Sequence, residues 1–205
     1  MALTKGYIGL ITLIALNSGM YLISLYVNRF DAINGLNSNQ IIHVGGMYQH
    51  SDVWTIFLAI FVHNSLMHFI INMIALYIFG KMVIKSFGSF FLIICYLLGG
   101  VLGNVLMIFI IEGGTNCGAS GSIFALLGSL FVGSFIPYKT FKAINEVRIL
   151  IVLLTTIYVF ISVLDVSRGT NLYTHFIGLF IGMILAGSYT IIHRKRWLNN
   201  ERSSE

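Results

Sequence analysis

The chain of 205 residues is short of charge, proline and cysteine. Charged residues make up 9% of it, only seven residues are Asp or Glu, and there are two cysteines and one proline. A soluble domain of this size normally carries about 25% charged residues, so a water-soluble globule is excluded first. The two cysteines, Cys95 and Cys117, lack a C-x-x-C partner and do not report a redox compartment. Cys117 lies three residues before Ser120, where a small residue in a tight loop is a better reading than a redox switch. No acidic residue lies deep within an apolar run and the two halves show no inverted repeat, which argues against a transporter or channel. The net charge of +5 does not form an aromatic-interleaved basic patch, so no nucleic-acid partner is expected.

What is present is hydrophobic length. Hydrophobic residues make up 57% of the chain and the mean hydropathy is +0.89. Six apolar runs predict helices over about 7–27, 54–80, 87–111, 118–136, 147–164 and 172–192. At about 1.5 Å per residue, a run of this kind crosses a hydrocarbon core of roughly 30 Å. The first run is too long for a signal-peptide core and has no clear cleavage site, so it is expected to be retained. The fold expected is an all-α membrane protein, with residues 1–196 as one six-helix domain and 197–205 as a short polar tail. Residues 28–53 read as a long loop with short amphipathic pieces near the membrane surface.

The basic residues orient this bundle. With the N-terminus inside, Lys5, Lys81, Lys85, Lys139, Lys142, Arg148, Arg194, Lys195, Arg196 and Arg202 fall on inner segments, and only Arg29 and Arg168 on outer ones. That bias predicts that both termini are cytoplasmic. Runs two, four and six then all descend from the outer face. Each carries its polar groups near its start: His63 to Asn72, Ser120, and His175. The other runs are blander, with Asn17 and Asn104 as exceptions. Three helices thus offer polar side chains at one depth, as a single buried site would require.

The centre of that site is Gly118–Ala119–Ser120–Gly121, where a polar loop becomes an apolar run that Pro137 ends. A serine between small residues at a first helical turn has an uncrowded oxygen, and the unbonded N–H groups of that turn can receive a developing negative charge. The competing reading is that small residues only let membrane helices approach. A serine nucleophile needs a base, and His175 is the candidate. It shares a helix face with Gly178 and Gly182, which would let it approach the Ser120 helix. His68 and Asn72, four residues apart, are hydrogen-bond donors that, with the Ser120 N–H, could hold an oxyanion; the alternative is a polar pair joining helices. Gly99 and Gly103 form a further small-residue packing face. Glu112 and Asp165 read as solvated loop charges, so the chemistry looks like a Ser–His dyad rather than a triad.

These pieces together resemble the rhomboid family of intramembrane serine proteases, from about Trp54 to Gly182. The matching residues are His63–Asn64–Ser65–Leu66–Met67–His68 continuing to Asn72, then Gly118–Ala119–Ser120–Gly121 with Phe124 and Gly128, then His175 with Gly178 and Gly182. The resemblance implies a six-transmembrane-helix bundle that cleaves transmembrane segments of other proteins near the outer membrane surface, with the lipid bilayer as its medium and no cofactor or metal. It implies Ser120 as nucleophile, His175 as general base, His68 and Asn72 in or beside the oxyanion hole, and Phe124 packed against the catalytic histidine. A bacterial-type cell membrane is the expected location. Two positions depart from the family pattern: Thr55 follows Trp54 where many members have arginine, and Ile84 lies between Gly80 and Gly88 where many have glutamate. A catalytically silent relative that binds and escorts membrane helices, or a small polytopic transporter, are the competing classes. Substrate and oligomeric state are not legible in the chain.

Overall fold

The computed structural model describes residues 2–48, 50, 52–110, 115–138, 141–164 and 172–202. Helix α1 (Ala2–Val27) ends where Arg29 and Phe30 take left-handed φ values of 48° and 70°. A 3-10 turn at Asp31–Ile33 and a short helix α2 (Ser38–His43) come next, the latter closed by a reciprocal cap between Asn37 and Gln40. Strand β1 (Met47–Tyr48) and helix α3 (Thr55–Leu58) complete the connection to α4 (Leu66–Phe87). Then come α5 (Ser89–Ile110), strand β2 (Thr115–Asn116), α6 (Ser120–Gly133), α7 (Lys142–Glu146), α8 (Arg148–Leu164) and α9 (Leu172–Arg202).

Four of these helices are long and apolar enough to cross a membrane: residues Gly6–Val27, Leu66–Phe87, Ser89–Phe109 and Leu172–Arg194. Their outward faces carry large apolar side chains, among them Ile11, Leu22, Ile74, Ile78, Phe180 and Ile184, as lipid contact demands. Helix α6 is different. Its 14 residues rise only about 21 Å, less than a hydrocarbon core of roughly 30 Å. It lies in the middle of the bundle, with every residue from Gly121 to Leu130 buried. Leu126, Leu127 and Leu130 pack there with Leu10, Leu76, Leu92 and Tyr96 from the surrounding helices.

The second helical run differs from the sequence expectation. It does not start at Trp54 or stop at Gly80. The chain makes the single turn α3, leaves the helical path, and starts α4 behind Ser65, whose side chain accepts the His68 N–H at 3.3 Å. The polar His63–Asn64–Ser65 stretch supplies the cap that an uninterrupted helix would waste. Gly80 does not terminate α4 because it lies against Leu10 of α1; Gly88, at φ +95°, does. The last helix continues past Ile192 to Arg202, into the stretch expected to be tail. Glu112, Lys139, Asp165 and Arg168 lie outside the described residues.

The segment before α4 is anchored by polar side chains of two long helices. Asn17 of α1 donates to Tyr96 Oη of α5 at 2.9 Å, and that hydroxyl reaches the Ile60 carbonyl at 3.4 Å. Asn104 of α5 donates to the Ile56 carbonyl at 2.8 Å. These are the two polar exceptions noted in otherwise bland runs. The 28–53 connection carries short helical pieces and is packed down. Tyr21, Ala32, Leu36, Ile41, Val44 and Val62 form their own apolar cluster, and β1 pairs antiparallel with β2, Met47 opposite Asn116 and Tyr48 opposite Thr115.

Candidate active site

The short α6 puts Ser120 at its first turn, where N–H groups have no partner further back in the helix. Helix α9 brings His175 to it. His175 Nε2 lies 2.7 Å from Ser120 Oγ, a hydrogen bond in which the hydroxyl donates when Nε2 is unprotonated. The approach depends on glycine. A Cβ on Gly178 would run into the Gly121 carbonyl, one on Gly182 into the Ala125 carbonyl, and one on Gly128 of α6 into the Leu179 carbonyl. The two backbones are therefore in contact along two turns, and no other residue fits. Phe124, one turn below Ser120, stacks face to face on the His175 ring, with centroids 4.4 Å apart and planes 8° from parallel. That fixes the ring plane and leaves the edge bearing Nε2 pointed at the serine.

His68 and Asn72 sit on α4, the third element at the site. Gly118, at φ +122°, lies directly against the His68 ring: a Cβ there would come within 2.9 Å of His68 Nε2 and 3.8 Å of Ser120 Oγ. His68 Nδ1 lies 2.9 Å from Asn64 Oδ1. The Asn72 amide donates to the His68 carbonyl at 2.9 Å, which uses one of its two N–H groups. The structure therefore brings Ser120, His175, Phe124, Gly118 and His68 into one cluster, with Asn72 one helical turn below His68.

Several neighbours of this cluster have no role that sequence reasoning assigns. The Gly118 N–H donates to the Ala59 carbonyl at 2.8 Å, so the loop before Ser120 hangs from the turn just after α3. Asn64 contacts His68 directly; its spacing, four residues before His68, is the signal in the sequence. His63 is fully buried, with Nδ1 3.1 Å from the Phe61 carbonyl, Nε2 without a hydrogen bond, and its ring edge-on to His68 at 5.2 Å. Burial, then repulsion from His68, pulls its pKa down to about 3 against the weaker upward pull of the Phe61 carbonyl, so it is a neutral ring at physiological pH. Burial also pushes the Cys117 thiol up to about 12, opposed by its bond to the Asn64 backbone, which leaves it a poor nucleophile. Among the described residues no three His, Cys, Asp or Glu side chains group as a metal site would.

Comparison with known proteins identifies the family. The family model for the rhomboid domain matches residues 50–191. RHOMBOID-like protein 4 of Arabidopsis thaliana is 26% identical over 146 residues, 71% of this chain and 36% of that protein. Rhomboid protease GlpG of Haemophilus influenzae is 29% identical over 137 residues, 66% of this chain and 69% of its own. Rhomboid protease GluP of Bacillus subtilis is 28% identical over 101 residues, 49% of this chain and 20% of its own. The chain spans about a third to a half of the length of RHOMBOID-like proteins 4 and 7 of Arabidopsis thaliana.

Proposed function

The chain belongs to the rhomboid family and is an integral multi-pass membrane protein; from that premise we propose that it is an intramembrane serine endopeptidase working through a Ser120–His175 dyad. The observation that carries this reading is the 2.7 Å contact between His175 Nε2 and Ser120 Oγ. It lies within the 2.6–3.2 Å reach typical of a base and the nucleophile it deprotonates.

The reaction can be derived from the geometry. As Ser120 Oγ bonds to the scissile carbonyl carbon, its proton passes to His175 Nε2. The carbonyl oxygen takes the negative charge, facing the first-turn N–H groups of α6. The imidazolium then gives its proton to the leaving amine nitrogen, the C–N bond breaks, and an ester remains on Ser120. Water attacks that ester while Nε2 takes its proton, and Ser120 leaves reprotonated. Phe124 serves twice here: its stacked ring holds the imidazole plane, and its electron-rich face favours the cation formed midway.

His68 and Asn72 complete the oxyanion site in this reading. A neutral His68 donates from Nε2 only in the tautomer whose Nδ1 carries no proton, in which Asn64 turns its amide Nδ2 toward the ring so that Nδ1 accepts. The topology proposed is six crossings with both termini cytoplasmic. The shortness of α6 then recesses Ser120 below the outer surface by roughly 9 Å, the difference between its length and the hydrocarbon core. The substrates proposed are membrane-spanning helices of other proteins, locally unwound near the outer surface, with a small residue before the cut; the bacterial-type cell membrane remains the proposed location.

The test is cleavage of a reporter transmembrane substrate by the purified protein in liposomes, with Ser120→Ala and His175→Ala alongside. Cleavage by the wild type and its loss in both variants is the expected result. A folded wild type that cuts none of several helix-weakened substrates would instead favour a relative that binds and escorts membrane helices.

A further inference from the structure

Two buried asparagines join the elements of the site at a point the dyad itself does not explain. Asn104 on α5 and Asn116 in β2 are 4% and 6% exposed. Asn116 Nδ2 donates to Asn104 Oδ1 at 2.6 Å, and Asn104 Nδ2 donates to the Ile56 carbonyl of α3 at 2.8 Å. Asn116 is four residues before Ser120. Two residues after it, the Gly118 N–H is held by Ala59, three residues beyond Ile56. The loop that delivers Ser120 is thus tied twice to the same short segment, once by its backbone and once through Asn104. Gly103, the neighbour of Asn104, lies against Thr174, the residue before His175, with a Cβ position 3.4 Å from the Thr174 carbonyl. One turn of α5 therefore touches the approaches to both halves of the dyad.

We propose that Asn104 is a positioning residue for the oxyanion side of the site, acting through Asn116. The inference rests on the protease reading given above. Its physical content is that the Asn104–Asn116 bond sets where residues 116–118 lie, and so where Gly118, the His68 ring and the Ser120 N–H stand relative to the Ser120 oxygen. Buried amides of this kind are fully paired or costly, and the pairing here has only one register: Asn104 Oδ1 accepts from the loop while Asn104 Nδ2 donates to α3. Losing it does not remove a group that touches the substrate. It lets the loop carrying those groups shift, and misplacement on the scale of an ångström costs about 100-fold in rate.

The experiment compares wild type, Asn104→Leu, Asn116→Ala and the double variant in liposomes, with initial rates normalised to folded protein. Labelling of Ser120 by a fluorophosphonate, which loses fluoride to leave a tetrahedral phosphonyl ester whose phosphoryl oxygen takes the oxyanion position, is measured in parallel. The expected result is a kcat lowered roughly 10- to 100-fold in each single variant, KM within about twofold of wild type, labelling lowered in step with kcat, and a double variant no worse than the poorer single one. If Asn104→Leu does not fold, Asn116→Ala decides alone by the same kcat and labelling criteria. Variants that lose thermal stability but keep wild-type kcat and labelling per folded molecule would overturn the proposal, leaving the pair a structural tie. Inactivity of the wild type would instead be a failure of the protease reading.

Discussion

Helices α9 and α8 both pack on the central α6, and they do so by opposite means. Helix α9 meets α6 backbone to backbone, through Gly178, Gly182 and Gly128 against carbonyl groups. Helix α8 meets it through side chains. Arg148 donates from Nε to the Ser134 carbonyl at 2.5 Å and lies over the Phe135 ring, Ile151 is buried, and Ile149, Leu150, Leu153 and Ile157 face outward. A contact between backbones cannot slide without collision, whereas a contact between side chains can be repacked. The difference teaches where precision is kept. The Ser120–His175 pair stands on the backbone contact, whereas α8 is held by side chains such as Arg148 and Ile151.

Substitutions at the two contacts should separate them. The largest effect is expected from Gly182→Ala, whose new methyl group meets the Ala125 carbonyl and Cα. It should destabilise by about 3 kcal/mol, at the upper end for overpacking because backbone cannot swing aside. Thermal unfolding in detergent would show it, and a wild-type midpoint would mean the α6–α9 seam is looser than described.

Next comes Gly118→Ala, which combines a left-handed φ of +122° with a methyl group pushed into His68. A loss of roughly 1–3 kcal/mol is expected, together with reduced activity per folded molecule. A decrease in stability with unchanged activity would separate His68 from the chemistry.

The segment before α4 should also respond to pH, through His63. An unfolded histidine takes its proton near 6.5, whereas His63 in the fold refuses it until about 3. Between these values the unfolded state binds more protons, so this contribution to stability is complete above about pH 6.5 and is lost as pH falls toward 3. The slope is about 1.4 kcal/mol per pH unit once well below 6.5. Unfolding of wild type and His63→Gln at pH 7 and pH 5 measures it; equal slopes would place the sensitivity elsewhere. The smallest effect is expected from Leu153→Ala on the outward face of α8, within about 0.5 kcal/mol and with activity kept. A large loss there would erase the contrast between the two helices.

Much of the architecture is legible because membrane chemistry writes it in simple terms. Long apolar runs announce helices, and polar residues at matched depths announce where they converge. The spacing of His175, Gly178 and Gly182 places all three on one face, which is the face α9 turns to α6. Hydropathy misplaces the start of α4 because it sees Trp54–Phe61 as continuous with the apolar residues of that helix. The break depends instead on the Ser65 cap and on distant side chains that hold the turn. The β1–β2 pairing is not legible, since two-residue strands leave no periodicity to read. Asn104 stands out as polar in an apolar run; its partner Asn116 does not, because a polar residue in a loop carries no signal until the fold buries it.

The central claim is that His175 activates Ser120. The most direct measurement is covalent labelling of the folded protein by a fluorophosphonate in liposomes, with the modified residue read by mass spectrometry. A single adduct on Ser120 is expected in the wild type, none in Ser120→Ala, and a rate reduced by roughly 1,000-fold or more in His175→Ala. Labelling of Ser120 that proceeds equally well without His175 would contradict it.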